Sequence, residues 1–195
     1  MQQLESIDAL AIRQLKEWDE ILTGWEMTNR YEVMDANGVK LFDAGEQRGS
    51  LLGRQFLGPK RPFSLVVLKS GSPVLHVHRQ FRFFRETVNI LDGGGSQLGS
   101  IEKTLNPVQR NYHIRNRDGR EVCELHGPLT KPWTFFIMQN GNETGVITKR
   151  WGGIAREAFT DADAFGVRFP REASPEVKAL LLGAVFLIDF VHFEE

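Results

Sequence analysis

The chain has one cysteine, Cys123, among 195 residues. That excludes an intramolecular disulfide and a cysteine-rich zinc site, and an unpaired thiol fits a reducing compartment. Excess charge of either sign is lacking too: 24 Lys and Arg stand against 25 Asp and Glu. No molecule-wide field would steer the chain to nucleic acid or to an anionic bilayer. Nucleic acid is therefore not an expected partner, and membrane contact must come from a local patch. No Pro/Ser-rich linker or low-complexity tract divides the chain, and its length suffices for a sizeable core, so one globular domain is expected. The opening MQQLESIDAL has no charged-then-apolar leader, which makes a cytoplasmic location the expectation. Signatures of catalysis are missing as well. LDGGGSQLG is glycine-rich but lacks the Lys-Ser/Thr of a phosphate-binding loop, and no G-x-S-x-G, H-E-x-x-H or supported Cys-His arrangement occurs. Enzymatic chemistry is not expected.

The last absence is an apolar run long enough to cross a bilayer. VKALLLGAVFLIDFVHFEE closes the chain, but its uninterrupted apolar stretch is only Ala179 to Ile188, before Asp189. As a helix, even Ala179 to Phe193 reaches roughly 22 Å, short of a hydrocarbon core roughly 30 Å thick. Ser174, Pro175 and Glu176 make a helix start: a capping hydroxyl, proline at the first helical position and an acid in the first turn. A helix apolar on nearly every side must be buried. The expectation is a central helix over about 175–193 inside a soluble core, with Gly183 and Ala184 allowing close approach and Asp189 paired or near a mouth.

Two patterns fill the rest. Leu4, Ile7, Ala11, Leu15, Trp18, Leu22 and Trp25 fall at steps of three and four, which predicts an amphipathic helix over 1–26 packed on the domain. Its apolar stripe also offers a surface for a homo-oligomer. From Tyr31 onward the pattern becomes short β-rich runs around Asn-Gly, Ser-Gly and Asp-Gly. YEVMDANGVKLFDA, FSLVVLKSGSPVLHV, ETVNILDGGGSQLGSIEK, NYHIRNRDGREVCEL and FFIMQNGNETGVITK each read strand, tight turn, strand. Five hairpins give about ten strands in a meander, and a sheet of that size closes on itself or splits into a sandwich.

KRWGGIAREAFTDADAFGVRFP, followed by the terminal apolar run, closely resembles the phospholipid scramblase family. The resemblance extends through IDALAIRQLKEWDEILTGWEMTNRYEV, GPKRPFSLVVL and HGPLTKPWTFFI, and so over nearly the whole chain. It implies the tubby-like fold: a mainly β protein, here residues 27–195, in which a closed antiparallel barrel of about 10–12 strands surrounds a buried C-terminal helix. It also implies phospholipid binding and, as in animal members, calcium-stimulated movement of lipid between leaflets. The expected partner is then a phospholipid membrane surface contacted peripherally, at the inner face of the plasma membrane. The competing reading is a soluble barrel that serves as a protein-interaction or ligand-binding module.

DADAFGVRFPRE occupies the family's calcium segment. As a twelve-position loop it puts Asp161, Asp163, Gly166 and Glu172 at positions one, three, six and twelve. Phe165 and Phe169 offer no oxygen at positions five and nine, and Arg168 and Arg171 add unwanted positive charge. Phe165, Val167 and Phe169 also alternate as a strand's buried face would. A structural strand is the favoured expectation, with any calcium at Asp161, Asp163 and Glu172 bound weakly, toward the millimolar end of such sites.

HRQFRFFRE lacks the family's acylated cysteines but interleaves Arg79, Arg82 and Arg85 with Phe81, Phe83 and Phe84. Arginine grips phosphate, and aromatic rings settle at headgroup depth. Arg79, Arg82, Phe83 and Arg85 are candidate lipid contacts, against a plainer reading of phenylalanines on the core face and arginines outside. Lys149 and Arg150, beside Trp151, are too few cations for a nuclear-import signal and join the candidate lipid set. His76 and His78 share one side of a strand without a third ligand nearby in sequence. Arg115, Arg117 and Arg120 crowd a turn near Tyr112 and His113, where a solvated hairpin tip is the plainer outcome.

Overall fold

The computed structural model describes residues 2–15, 27–47, 62–79, 87–104, 110–149 and 164–193. Twelve strands follow one another: β1 (Ala9–Gln14), β2 (Met27–Asp35), β3 (Lys40–Gln47), β4 (Phe63–Lys69), β5 (Ser72–Arg79), β6 (Thr87–Asp92), β7 (Gln97–Lys103), β8 (Arg110–Asn116), β9 (Glu121–Gly127), β10 (Thr134–Gln139), β11 (Asn142–Thr148) and β12 (Ala164–Arg168). Each pairs antiparallel with its sequence neighbours, and β1 pairs with β12 to close the barrel. The helix α1 (Pro175–His192) follows.

The five expected hairpins are present, and their turns explain the register. Ser70-Gly71 and Asn140-Gly141 have positive φ at both residues, the geometry of a two-residue turn whose twist matches the strands. Three longer turns share a side-chain device. Asp35 Oδ1 accepts from the amides of Asn37 and Val39, Asp92 Oδ1 from Gly94 and Ser96, and Asn116 Oδ1 from Asp118 and Arg120. Each carboxylate or amide oxygen substitutes for a backbone acceptor and tightens the turn.

Alternate residues face inward, among them Ile12, Val33, Val67, Val77, Ile90, Ile101, Ile114, Leu125, Ile137, Ile147 and Val167. They enclose α1, whose residues 178 to 190 are all buried. A Cβ on Gly183 would come within 2.5 Å of Ile90 Cδ1, so the missing side chain lets the helix lie against β6. Ser174 caps the helix by accepting from the Val177 amide. No described helix is long and apolar enough to cross a membrane; α1 is apolar all round because sheet surrounds it.

The N-terminal helix expected over 1–26 is corrected at its described part. Residues Gln2–Leu4 form a 3-10 turn, and Ala9–Gln14 are a strand of the barrel itself. The division at residue 26 goes with it, since β1 supplies the closing seam. Ala9, Leu10, Ala11 and Ile12 are all buried, so the helical spacing of Leu4, Ile7, Ala11 and Leu15 was coincidental with a short run apolar on both faces. Trp18, Leu22 and Trp25 lie outside the described residues.

Lys178 fastens the chain's start to the helix. Its buried ammonium donates to the carbonyls of Leu4, Glu5 and Ile7 at 3.0, 2.9 and 2.8 Å. Three donors meet three acceptors, which is how a charge inside an apolar helix becomes tolerable.

Candidate functional site

The meander sorts its connections by length. The tight turns β2–β3, β4–β5, β6–β7, β8–β9 and β10–β11 gather at one end, where α1 begins. At the other end the six remaining connections leave the strands and α1 finishes. The polar and aromatic side chains inside the barrel concentrate at this second end, called the mouth below.

Asp189, 3% exposed, is the centre of the group. The Tyr31 hydroxyl donates to its Oδ2 at 2.7 Å, and Lys149 Nζ lies 4.0 Å from its Oδ1. Lys149 also sits over the rings of Phe193 and Phe165, at 4.8 and 5.4 Å from their centroids. Trp133 stacks on Phe193, and Phe63 on Phe190. A second link runs from Tyr112, whose hydroxyl is 2.7 Å from His192 Nε2. Burial first, and then the nearby charges of Arg110 and Lys103, lower the His192 pKa to about 4. The ring is thus neutral at pH 7 and accepts from the phenol. Arg110 is engaged through its guanidinium with the carbonyls of Pro128, Lys131 and Pro132 and lies over Phe135. Glu46 is a further interior charge, fully buried and accepting from Asn29 Nδ2.

The sequence-predicted residues divide three ways. Arg79 is 4% exposed and falls on the inward row of β5 with Leu75 and Val77. That reverses the plainer reading, in which the arginine would be outside, and it leaves Arg79 inside the mouth and not displayed on the surface. Lys149 is brought to the mouth with only 12% of its side chain exposed. Arg82, Phe83, Arg85, Arg150, Asp161 and Asp163 lie outside the described residues.

Glu172 is exposed in the turn between β12 and α1, at the tight-turn end. Residues 164 to 168, positions four to eight of the twelve-position loop, are a strand. Phe165, Val167 and Phe169 are buried, as the strand reading requires.

His76 and His78 do share a face, their rings parallel within 4° and 5.9 Å apart. Burial, and then His76, lower the His78 pKa. Arg115 is drawn between Glu102 and Glu121 and donates to Gly119, so it belongs to the hairpin and not to a free anion patch. Cys123 is buried, and burial, then Glu121, push its thiol up to about 12, far from a nucleophile's range. The Asp189–Tyr31–Lys149 group was legible only in part: an acid inside an apolar run is visible in sequence, but its partners stand 158 and 40 residues away.

Comparison with known proteins agrees with this architecture. The Scramblase family pattern matches residues 1–195. The chain is similar to human phospholipid scramblase 1, 32% identical over 209 residues, covering 100% of this chain and 65% of the human protein. It is likewise similar to phospholipid scramblase 2 of Bos taurus, at 31% identity, covering 100% and 71%. The chain thus spans about two thirds of the length of these relatives. An X-ray structure of an Arabidopsis thaliana protein shares the fold at 14% identity, with a TM-score of 0.50 and coverage of 96% and 95%. The whole-chain match, carried on a twelve-stranded barrel closed around its terminal helix, places this chain in the scramblase family.

Proposed function

We propose that the chain binds phospholipid headgroups peripherally, by the mouth end of its barrel, and takes part in moving lipid between leaflets. The observation that carries this reading is the whole-chain similarity to proteins named phospholipid scramblases. Two features of the molecule support the manner of binding. Helix α1 is enclosed by sheet, so contact with a bilayer falls to the barrel's outer parts. The aromatic rings and cations gather at the mouth, where Trp133, Phe193 and Lys149 lie; β5 ends and β6 begins at this same end, on either side of residues 80–86. Arg82, Phe83 and Arg85 are the contacts assigned to that segment, with Arg150 beside Lys149. The setting proposed is cytoplasmic, at the inner face of the plasma membrane. Any calcium at Asp161, Asp163 and Glu172 is proposed to bind weakly, since residues 164–168 between them form a strand.

Flotation of the detergent-free protein with neutral and anionic vesicles, each with and without calcium, tests the reading. The protein should rise with anionic vesicles in the absence of calcium, and the double variant Arg82→Ala/Arg85→Ala should rise less. Unchanged flotation of that variant, with its circular dichroism intact, removes the site assignment. A folded protein that stays at the bottom throughout favours the soluble interaction module, while flotation only with calcium would put a metal between protein and lipid.

A further inference from the structure

The outer face of the β8–β9 pair carries three side chains that no lipid-binding role uses. His113 and Glu124 are directly opposite in register, and Glu121 is brought to the same face by the bulge after Ile114. One ligand atom from each lies within 4.8 Å of the other two. We propose that His113, Glu121 and Glu124 form a divalent transition-metal site, of the class that zinc occupies with one imidazole and two carboxylates.

The orientation of the imidazole is the main argument. His113 Nε2 is 3.2 Å from Thr104 Oγ1, on the neighbouring strand's end. With Nε2 donating to that hydroxyl, Nδ1 carries the lone pair, which is the way metal-binding histidines are commonly fixed from behind. Nδ1 itself is buried and makes no well-directed hydrogen bond, although Glu121 Oε2 is only 2.9 Å away. A short contact with the oxygen off the ring-nitrogen axis is poor for a hydrogen bond. Two ligands of one ion both point at a third place, and about 2.1 Å from a tetrahedral metal they stand about 3.4 Å apart, so the 2.9 Å contact opens by about 0.5 Å when the ion enters. Arg115 is near Glu121, at 3.9 Å, but is shared with Glu102 at 3.5 Å on β7. Its charge lowers the affinity of the site for a cation. The stacked His76 and His78 are a rival pair, yet no third ligand joins them among the described residues.

Calorimetric titration of the full chain with zinc chloride, paralleled by the visible absorption of added cobalt(II), reads the site directly. One equivalent should bind with micromolar affinity, and cobalt should give the strong bands of a four-coordinate ion. Glu124→Gln and His113→Gln should each weaken zinc binding by at least about tenfold, and Thr104→Val by about tenfold through loss of the supporting hydrogen bond. The double variant His76→Ala/His78→Ala should bind as the parent does. The proposal is overturned if zinc shows no saturable binding below millimolar concentration, if Glu124→Gln binds unchanged, or if removing His76 and His78 abolishes binding. Cobalt spectra of the parent protein decide the matter even if a variant fails to fold, since six-coordinate weak bands there would also exclude the site.

Discussion

Lys178 is the residue whose role is most sharply defined by its surroundings. It stands at the second turn of a mostly apolar helix, and its three hydrogen bonds all go to the first seven residues. Lys178→Met keeps the volume but takes a charged donor from three carbonyls, of which, among the described residues, Leu4 alone retains the Ile7 amide, so we expect a loss of about 3 kcal/mol in urea unfolding. Hydrogen exchange should quicken at the Ile7 amide, which donates to Leu4; an unchanged amide would show that the start of the chain is held by other means. His192 offers a second test. Its folded pKa, about 4, is below the ordinary value of about 6.5, so the unfolded chain takes up the proton first as the pH falls. Its contribution is complete above about pH 6.5 and is lost as the pH falls toward 4. Allowing for its partial exposure, this amounts to about 2 kcal/mol. Urea melts at pH 7 and 4.5 should separate the parent from His192→Gln, which keeps an acceptor for Tyr112 but does not titrate. Equal losses in the two proteins would mean that other groups carry the acid response.

At the scale of elements, α1 is limited by the space inside the barrel. Gly183 meets Ile90, which is itself fully buried. Leucine at 183 favours the helix intrinsically by nearly 1 kcal/mol, but the overpacking costs about 3 kcal/mol. Gly183→Leu should therefore lower the melting temperature, and a variant as stable as the parent would mean that the helix can shift within its sheath. The strands β1 and β12 teach a related lesson. Both are short, both are apolar on successive residues, and neither is joined to its seam partner by a tight turn. Local spacing made β1 look helical, whereas the five hairpins with glycine turns were plain.

For the whole molecule, the seam between β1 and β12 decides whether there is a barrel at all. It joins Ala9–Arg13 to Ala164–Arg168 across nearly the full chain. Removing residues 1–14 would expose β2 and β12 as edges and uncover the adjacent flank of α1. Open edges of this kind recruit other strands. The truncated protein should elute as oligomers or precipitate, while a monomer with a single cooperative melt would show that the seam is dispensable.

The sequence by itself determined the strand grammar from residue 31 onward, the capped start of α1, and the burial of a helix too apolar for solvent and too short for a bilayer. These are properties of neighbours: turn residues need positive φ, caps need a hydroxyl, and the length of a run is counted along the chain. Only the tertiary structure decided that residues 9–14 are a strand, because their partners β2 and β12 supply the hydrogen bonds that a helix would have made internally. It likewise decided that Arg79 and Lys149 turn into the mouth, that Glu172 is exposed in the turn after an extended strand, and that Asp189 meets Tyr31. Each of these depends on which residues face each other across the barrel, a relation set by closure and not by spacing.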